Sequence, residues 1–291
     1  MQEILQYIFS GITSGAIYAV IAVGFSMLYN STELINFAHG EFVMLGALSM
    51  VTLSGPIGLP LIPAFLVSVI GVACLGMLFE RLAIRTVRQP NPIVLIIITV
   101  GASIFLKGVG MLIWGKDAHT IPPFTDHPPL DIAGAKLLAQ SIWIVVIVLL
   151  MAAGLHLFYK KTLTGKAMEA CAISQKAAWL VGIPSKFMTL LAFGLSTGMG
   201  AVAGVIIAPI TMSSYDMGTM LGLKGFCAAM LGGLGSLWGS LIGGLLLGIL
   251  ESLGVGLVSS GLKDATAFLL LLFILYVRPS GIISSANVDR F

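Results

Sequence analysis

Apolar residues run along this chain for the length of a bilayer crossing, several times over. Positions 4–29, 61–82, 93–114 and 140–159 are each predominantly apolar, and about 20 such residues suffice for an α-helix to cross the hydrocarbon core. These runs are apolar on every face, unlike the alternating strands of about ten residues that build a membrane barrel. A backbone in lipid must satisfy its own hydrogen bonds, so helices are the spanning solution. The pattern predicts an all-α integral membrane protein, a polytopic helical bundle of about eight or nine spans, in a single transmembrane domain over residues 1–291. Two shorter stretches break the rhythm: one between Phe37 and Ser54, opened by Asn36-Phe37-Ala38-His39-Gly40-Glu41, and a glycine-rich one between Lys224 and Trp238.

Those two stretches resemble each other. Met44-Leu45-Gly46-Ala47-Leu48 aligns with Met230-Leu231-Gly232-Gly233-Leu234, Thr13-Ser14-Gly15-Ala16 falls opposite Ser196-Thr197-Gly198-Met199, and Leu75-Gly76 before Glu80 echoes Leu247-Gly248 before Glu251. Three matches in one order predict two related halves, about 1–159 and 187–291. Inverted repeats of this kind place short or glycine-interrupted segments on a pathway between the halves. Glycines also permit close helix packing, and Gly11/Gly15, Gly239/Gly243 and Gly244/Gly248 fit the small-xxx-small pattern.

Composition agrees with lipid as the solvent: 58% hydrophobic and 9% charged residues, with a mean hydropathy of +1.06. The net charge of +3 says less than the placement of the charges. Arg81, Arg85 and Arg88 follow one run and Lys160, Lys161, Lys166, Lys176 and Lys186 another, whereas 115–136 mixes lysine with aspartate. Basic loops face the cytoplasm, which predicts the N-terminus outside, the C-terminus inside and 160–186 as a cytoplasmic loop. The first run follows Glu3 without lysine or arginine and exceeds a secretory signal's apolar region of about 7–15 residues, so it reads as a retained span. Three cysteines and four scattered histidines suggest neither a disulfide framework nor a metal site. No cofactor and no nucleic-acid partner is expected; the surrounding medium is the lipid bilayer.

Ionisable groups at membrane depth cost roughly 2.5–3.5 kcal/mol each on insertion scales and usually face a bundle interior or wet cavity. Glu41, Glu80 with Arg81, Lys107, Lys224 and Glu251 all lie within or beside apolar runs. Asn36, His39, Glu41, Lys224 and Glu251 become candidates for the translocation pathway, with a structural ion pair or helix-end cap as the competing role. The loop after Lys161 carries helix punctuation: Ser174 can cap a second short helix, Gly182 can end it and Pro184 blocks continuation. Its apolar Met168, Ala177, Ala178, Trp179, Leu180 and Val181 suit a docking partner. Gly194-Leu195-Ser196-Thr197-Gly198 matches a nucleophile-elbow pattern but falls inside an apolar run, and a phosphate-binding loop is absent. The chain is not expected to be an enzyme.

Several motifs resemble the branched-chain amino acid permease family of ABC importers over nearly the whole chain: Ile35-Asn36-Phe37-Ala38-His39-Gly40-Glu41, Glu80-Arg81 with Arg85 and Val87-Arg88, 222–226 through 231–236, and Arg278-Pro279-Ser280-Gly281-Ile282. The resemblance implies a permease working with a second permease subunit, two cytoplasmic ATP-binding subunits and a periplasmic or extracellular solute-binding protein in the bacterial inner membrane. It implies alternating access driven by ATP hydrolysis on the partner subunits, with branched-chain or related amino acids, urea or short amides as solutes. It also implies that Gly165, Glu169, Ala170, Ala177, Ala178 and Gly182 belong to the loop that docks on the ATPase. From the residues alone, a gradient-driven secondary transporter of small polar solutes is the alternative.

Overall fold

Helix α1 (Gln2–Thr32) runs through the centre and nearly all its residues from Gly11 to Leu28 are shielded from solvent. After it come a short α2 (His39–Ser54), a long α3 (Leu61–Phe79) closed by the π-helical turn Glu80–Ile84, and α4 (Pro92–Trp114). An antiparallel hairpin, β1 (Leu130–Ile132) with β2 (Ala135–Leu137), precedes α5 (Ala139–Lys161). Next follow the small helices α6 (Leu163–Ile173) and α7 (Gln175–Leu180), then α8 (Ser185–Ile207), α9 (Met217–Gly232), α10 (Leu237–Leu257) and α11 (Lys263–Val277). This computed structural model describes residues 2–87, 91–132, 134–259, 261, 263–278 and 280–283; Arg88 and Pro279 of the motifs above lie outside the described residues.

Among the described residues six helices are long and apolar enough to cross a membrane: α1, α3 with its π turn, α4, α5, α8 and α10. Helices α2, α9 and α11, of 16, 16 and 15 residues, are shorter than the usual crossing of about 20. The chain is thus an all-α, multi-pass membrane protein. Apolar faces of α3, α4 and α5 point outward with exposed Leu66, Ile70, Ile97, Phe105, Leu149 and Leu150, as lipid contact requires, while α8 is as enclosed as α1.

Several helix contacts come in matching pairs. Helix α1 lies on α10 as α8 lies on α3, α1 meets α9 as α8 meets α2, and α2 touches α4 as α9 touches α11. At the α1–α10 crossing, a Cβ on Gly11 would stand 2.7 Å from Ile249 Cα and one on Gly15 2.8 Å from Leu245 Cα. A Cβ on Gly248 would strike the backbone of Gly15, and one on Gly244 that of Ala19. The small-xxx-small pairs therefore bring two backbones into contact. In lipid, helix association rests on such dispersion contacts because the tails are as apolar as leucine.

Two features depart from the expectations. Lys224 does not open a broken segment: α9 starts seven residues earlier, at Met217, and the interruption falls at 233–236, where Gly233 and Gly235 take φ of 107° and 90°. A lysine inside the helix is tolerated because a carboxylate meets it, as described below. The hairpin in 115–136 was not foreseen either. Gln6 of α1 holds it by two hydrogen bonds to the Lys136 backbone, accepting from its N–H at 2.8 Å and donating to its carbonyl at 3.1 Å. Tail residues 282 and 283 donate backbone N–H groups to the Leu231 and Gly232 carbonyls, at 2.9 and 3.0 Å. They satisfy acceptors that the end of α9 would otherwise leave orphaned.

Substituting Gly248→Val should lower the apparent Tm of detergent-solubilised protein in a heat-and-size-exclusion assay, since overpacking costs about 1–3 kcal/mol where neighbours cannot retreat. Gly101→Val on α4, where the added carbons meet open space, should leave it unchanged. Equal melting of the two would show that the crossing is not set by this contact.

Candidate functional site

The chain enters α2 through an Asx turn: Asn36 Oδ1 accepts from the Ala38 N–H at 3.1 Å, and the His39 N–H donates to the Asn36 carbonyl at 3.0 Å. His39 and Glu41 lie two residues apart, about 200° around the helix, so they serve different neighbours. His39 is fully buried, with Nδ1 3.3 Å from Ser196 Oγ on α8 and Phe25 of α1 against its ring. Ser196 in turn donates to the Gly24 carbonyl at 2.9 Å, so one node ties α1, α2 and α8. Glu41, 1% exposed, accepts at Oε1 from Ser103 of α4 and Thr219 of α9, both at 3.0 Å. Its helix meets α9 backbone to backbone where Gly40 touches Gly218 and Gly222.

Lys224 follows Thr219 by five residues, about 140° around α9, and faces away from Glu41. Its Nζ lies 3.0 Å from Glu251 Oε1 on α10 and 2.7 Å from Asp264 Oδ1 on α11. Tyr18 of α1 donates to the same Glu251 oxygen at 3.2 Å. Lys224 and Glu251 side chains are 5% and 3% exposed, Asp264 54%. Four helices therefore meet at one buried ion pair with an exposed flank. Beside it is a cavity of about 300 Å³ bounded by α1, the α8–α9 connection, α9 and the start of α11. Tyr18 and Asp264 were not singled out in the sequence; the cue was the charged pair Lys263-Asp264 between two apolar runs.

The pathway candidates thus fall into separate nodes. Asn36 and His39 are joined through their backbones at the start of α2, Glu41 faces α4 and α9, and Lys224 is paired side chain to side chain with Glu251. Glu80 is buried in the π turn beside exposed Arg81, and Lys107 Nζ stands 5.9 Å over the Tyr215 ring.

At the opposite end of α1, α6 and α7 form the loop expected there. Thr162 caps α6 by accepting from the Gly165 N–H at 3.0 Å, and Ser174 caps α7 through the Ala177 N–H at 3.2 Å. Gly182 ends the loop with φ of 86°, a conformation that costs a residue with a Cβ but not glycine. Gly165 and Ala178 face inward, Ala170 is half-buried, and Glu169, Ala177 and Gly182 are exposed, Glu169 paired to Lys166 at 2.7 Å. Trp179, Leu180 and Val181 form an exposed apolar knuckle, Trp179 at 69%. Cys171 is tucked beneath, where burial pushes its thiol pKa up. One contact had no sequence signal: Gln175 Nε2 donates to the Ser31 carbonyl at the end of α1, at 3.0 Å.

A multi-pass helical protein with paired charges in its core and a compact helical loop at one end has the makings of a transport protein's membrane subunit. The profile of the family described as "Branched-chain amino acid transport system / permease component" matches residues 7–277. The high-affinity branched-chain amino acid transport system permease protein BraD of Pseudomonas aeruginosa is 35% identical over 299 residues, covering 98% of this chain and 97% of that one. The corresponding LivH protein of Escherichia coli K12 is 35% identical over 302 residues with the same coverage. A solved structure, PsaBC from Streptococcus pneumoniae in complex with Fab, aligns with a TM-score of 0.47 and 16% identity, covering 96% of this chain and 91% of that one. The chain belongs to the branched-chain amino acid transport permease family.

Removing one member of the buried pair by Glu251→Ala or Lys224→Ala leaves a buried charge uncompensated, a loss of about 3–5 kcal/mol. Asp264→Ala, on the half-exposed flank, should cost less than about 1 kcal/mol. Thermal melts of the three variants in one detergent check the ranking; equal losses would show that the core pair carries no special burden.

Proposed function

We propose that the chain is the permease subunit of an ATP-driven, binding-protein-dependent ABC importer in the bacterial inner membrane. It carries branched-chain amino acids, or related amino acids, urea or short amides, by alternating access. The single observation that carries this reading is the α6–α7 loop, a capped and compact pair of helices with an exposed apolar knuckle, in a chain of the branched-chain amino acid permease family. A gradient-driven carrier has no need of such a docking surface. The chain itself is not an enzyme; ATP hydrolysis resides in two cytoplasmic subunits, beside a second permease subunit and a periplasmic solute-binding protein.

In this proposal the halves 1–159 and 187–291 are an inverted repeat, the N-terminus is outside, and the loop 160–186 is the cytoplasmic coupling element. The paired packing of α1, α2 and α3 against α8, α9 and α10 supports the repeat, and α1 and α8 run in opposite directions where Gly24 meets Ser196 and Ile17 lies near Ile207. With α2, α9 and α11 counted as short crossings, the spans number about nine. Gly165, Glu169, Ala170, Ala177, Ala178 and Gly182 shape the docking element, and Gln175 conveys its displacement to α1. Asn36, His39, Glu41, Lys224 and Glu251 hold or line the segments that rearrange.

Labelled leucine should accumulate in proteoliposomes holding the chain with its partner subunits only when ATP is inside and binding protein outside. Accumulation by the chain alone under an ion gradient would overturn the importer reading in favour of a secondary transporter. Glu169→Lys, or a bulky charge at Ala177, should separate ATP hydrolysis from uptake without lowering the yield of folded protein; normal uptake in both variants would remove the loop from coupling. Glu41→Ala and Lys224→Ala should each lower uptake per folded transporter more than Lys116→Ala does. Equal rates would remove them from the pathway.

A further inference from the structure

We infer that the cavity beside Lys224 is a binding site for one zwitterionic α-amino acid with an aliphatic side chain. The inference rests on the importer reading and assigns the solute a place within this chain. A volume of about 300 Å³ is at the lower end of the roughly 300–1,000 Å³ of small-molecule pockets, so a single small solute fills it.

The lining combines two chemistries, and Met217, Met220, Leu221 and Lys224, at helical spacing on α9, bring both to one face. Ile17, Ile207, Met212, Met217, Met220 and Leu221 supply an apolar wall. Its three thioethers are unbranched and adapt to side chains of differing branch, which suits a set of aliphatic solutes better than one rigid shape. Lys224, Lys263 and Asp264 supply the charged part of the lining, beside the hydroxyls of Thr13, Ser14, Tyr18 and Thr211, with Glu251 directly behind Lys224. Glu251 Oε1 is held by Lys224 and Tyr18 together, which fixes its carboxylate directly behind the Lys224 amine.

Two cations and two anions leave this part of the lining neutral. A ligand with a carboxylate and an ammonium on one carbon exchanges the Lys224–Asp264 contact, 2.7 Å at the half-exposed edge, for two contacts of its own. Its carboxylate meets Lys224 and Lys263, and its ammonium meets Asp264. Neutrality is preserved throughout. A ligand with only one charge leaves another charge unpaired beside the core, and the desolvation penalty rejects it. The site thereby distinguishes leucine from both the amine and the acid of the same carbon skeleton.

The test is equilibrium binding of labelled leucine to the purified full chain in lipid nanodiscs. Isopentylamine and 4-methylpentanoate serve as competitors, each lacking one of the two charges. Saturable binding is expected, displaced by unlabelled valine, with either single-charge competitor at least about tenfold weaker, the equivalent of one lost charge-assisted hydrogen bond. Asp264→Asn should weaken binding about tenfold, and Met220→Trp should abolish it by filling the cavity while the size-exclusion peak is retained. Absence of saturable binding, equal competition by isopentylamine, or full binding by Met220→Trp would each overturn the site. Reconstituted ATP-dependent uptake is measured on the same preparation: uptake without binding to the chain removes this site alone, whereas binding without ATP-dependent uptake removes the importer reading and leaves the site.

Discussion

Backbone contact between α1 and α10 at Gly11, Gly15, Gly244 and Gly248 fixes where the other elements can lie. Lipid gives no hydrophobic reward for bringing two apolar helices together, so the gain comes from dispersion across a large, close interface. Once α10 lies against α1 without intervening side chains, α9 reaches the same helix at Ile21 and Gly225. The Ser26 and Ser240 hydroxyls then come within 2.6 Å. Ser26 also accepts from the Gly235 N–H at 3.2 Å, and Asn30 donates to the Gly235 carbonyl at 2.5 Å. The non-helical glycines between α9 and α10 are thus stitched to α1, which is how irregular backbone is tolerated at the edge of a bundle.

The same closeness explains why ionisable groups survive in so apolar a chain. Lys224 on α9 and Glu251 on α10 stand 3.0 Å apart because the intervening contacts at Gly232, Gly239 and Gly243 hold those helices together. Their Coulomb attraction is strong where water is excluded, yet it roughly offsets the desolvation of two charges. The pair's gain is therefore in specificity: a slip of α9 by one turn, about 5.4 Å, would leave both groups unpaired. Glu41 does the same between α2, α4 and α9 with two hydroxyl donors.

Much of this was legible in the sequence, and the unread part has a common cause. Run length gave the long helices, Ser174 and Gly182 gave the α6–α7 loop, and the spaced glycines marked close-packing surfaces without saying that α1 and α10 would share one. The start of α9 was not legible, because Lys224 looked like an interruption until Glu251 and Asp264 were placed beside it. A charge on a helix cannot be priced without its partner. The hairpin depends on Gln6, 130 residues away in sequence from Lys136, and no local period encodes such a bond. Tyr18 is one aromatic among the apolar residues of α1, and only the position of Glu251 makes its hydroxyl informative. Long-range partners, in each case, decide what a polar residue does.

Gln175 is the hydrogen-bonded link between the loop and the core on which the proposed importer's coupling rests. Its amide holds the Ser31 carbonyl, a last-turn acceptor of α1 that lacks a helical partner of its own. Helix α1 is packed on α8, α9 and α10, and closely packed helices shift as bodies because their interiors do not compress. In the proposed importer, a push on the Trp179 knuckle would reach α1 through the Gln175–Ser31 hydrogen bond. From α1 the hydrogen bonds at Gly24 and Tyr18 lead to the His39 node and the Lys224–Glu251 node. The two buried polar nodes, about 9 Å apart along the axis of α1, share that one helix, so in the proposed importer a displacement that begins at the loop would bear on both.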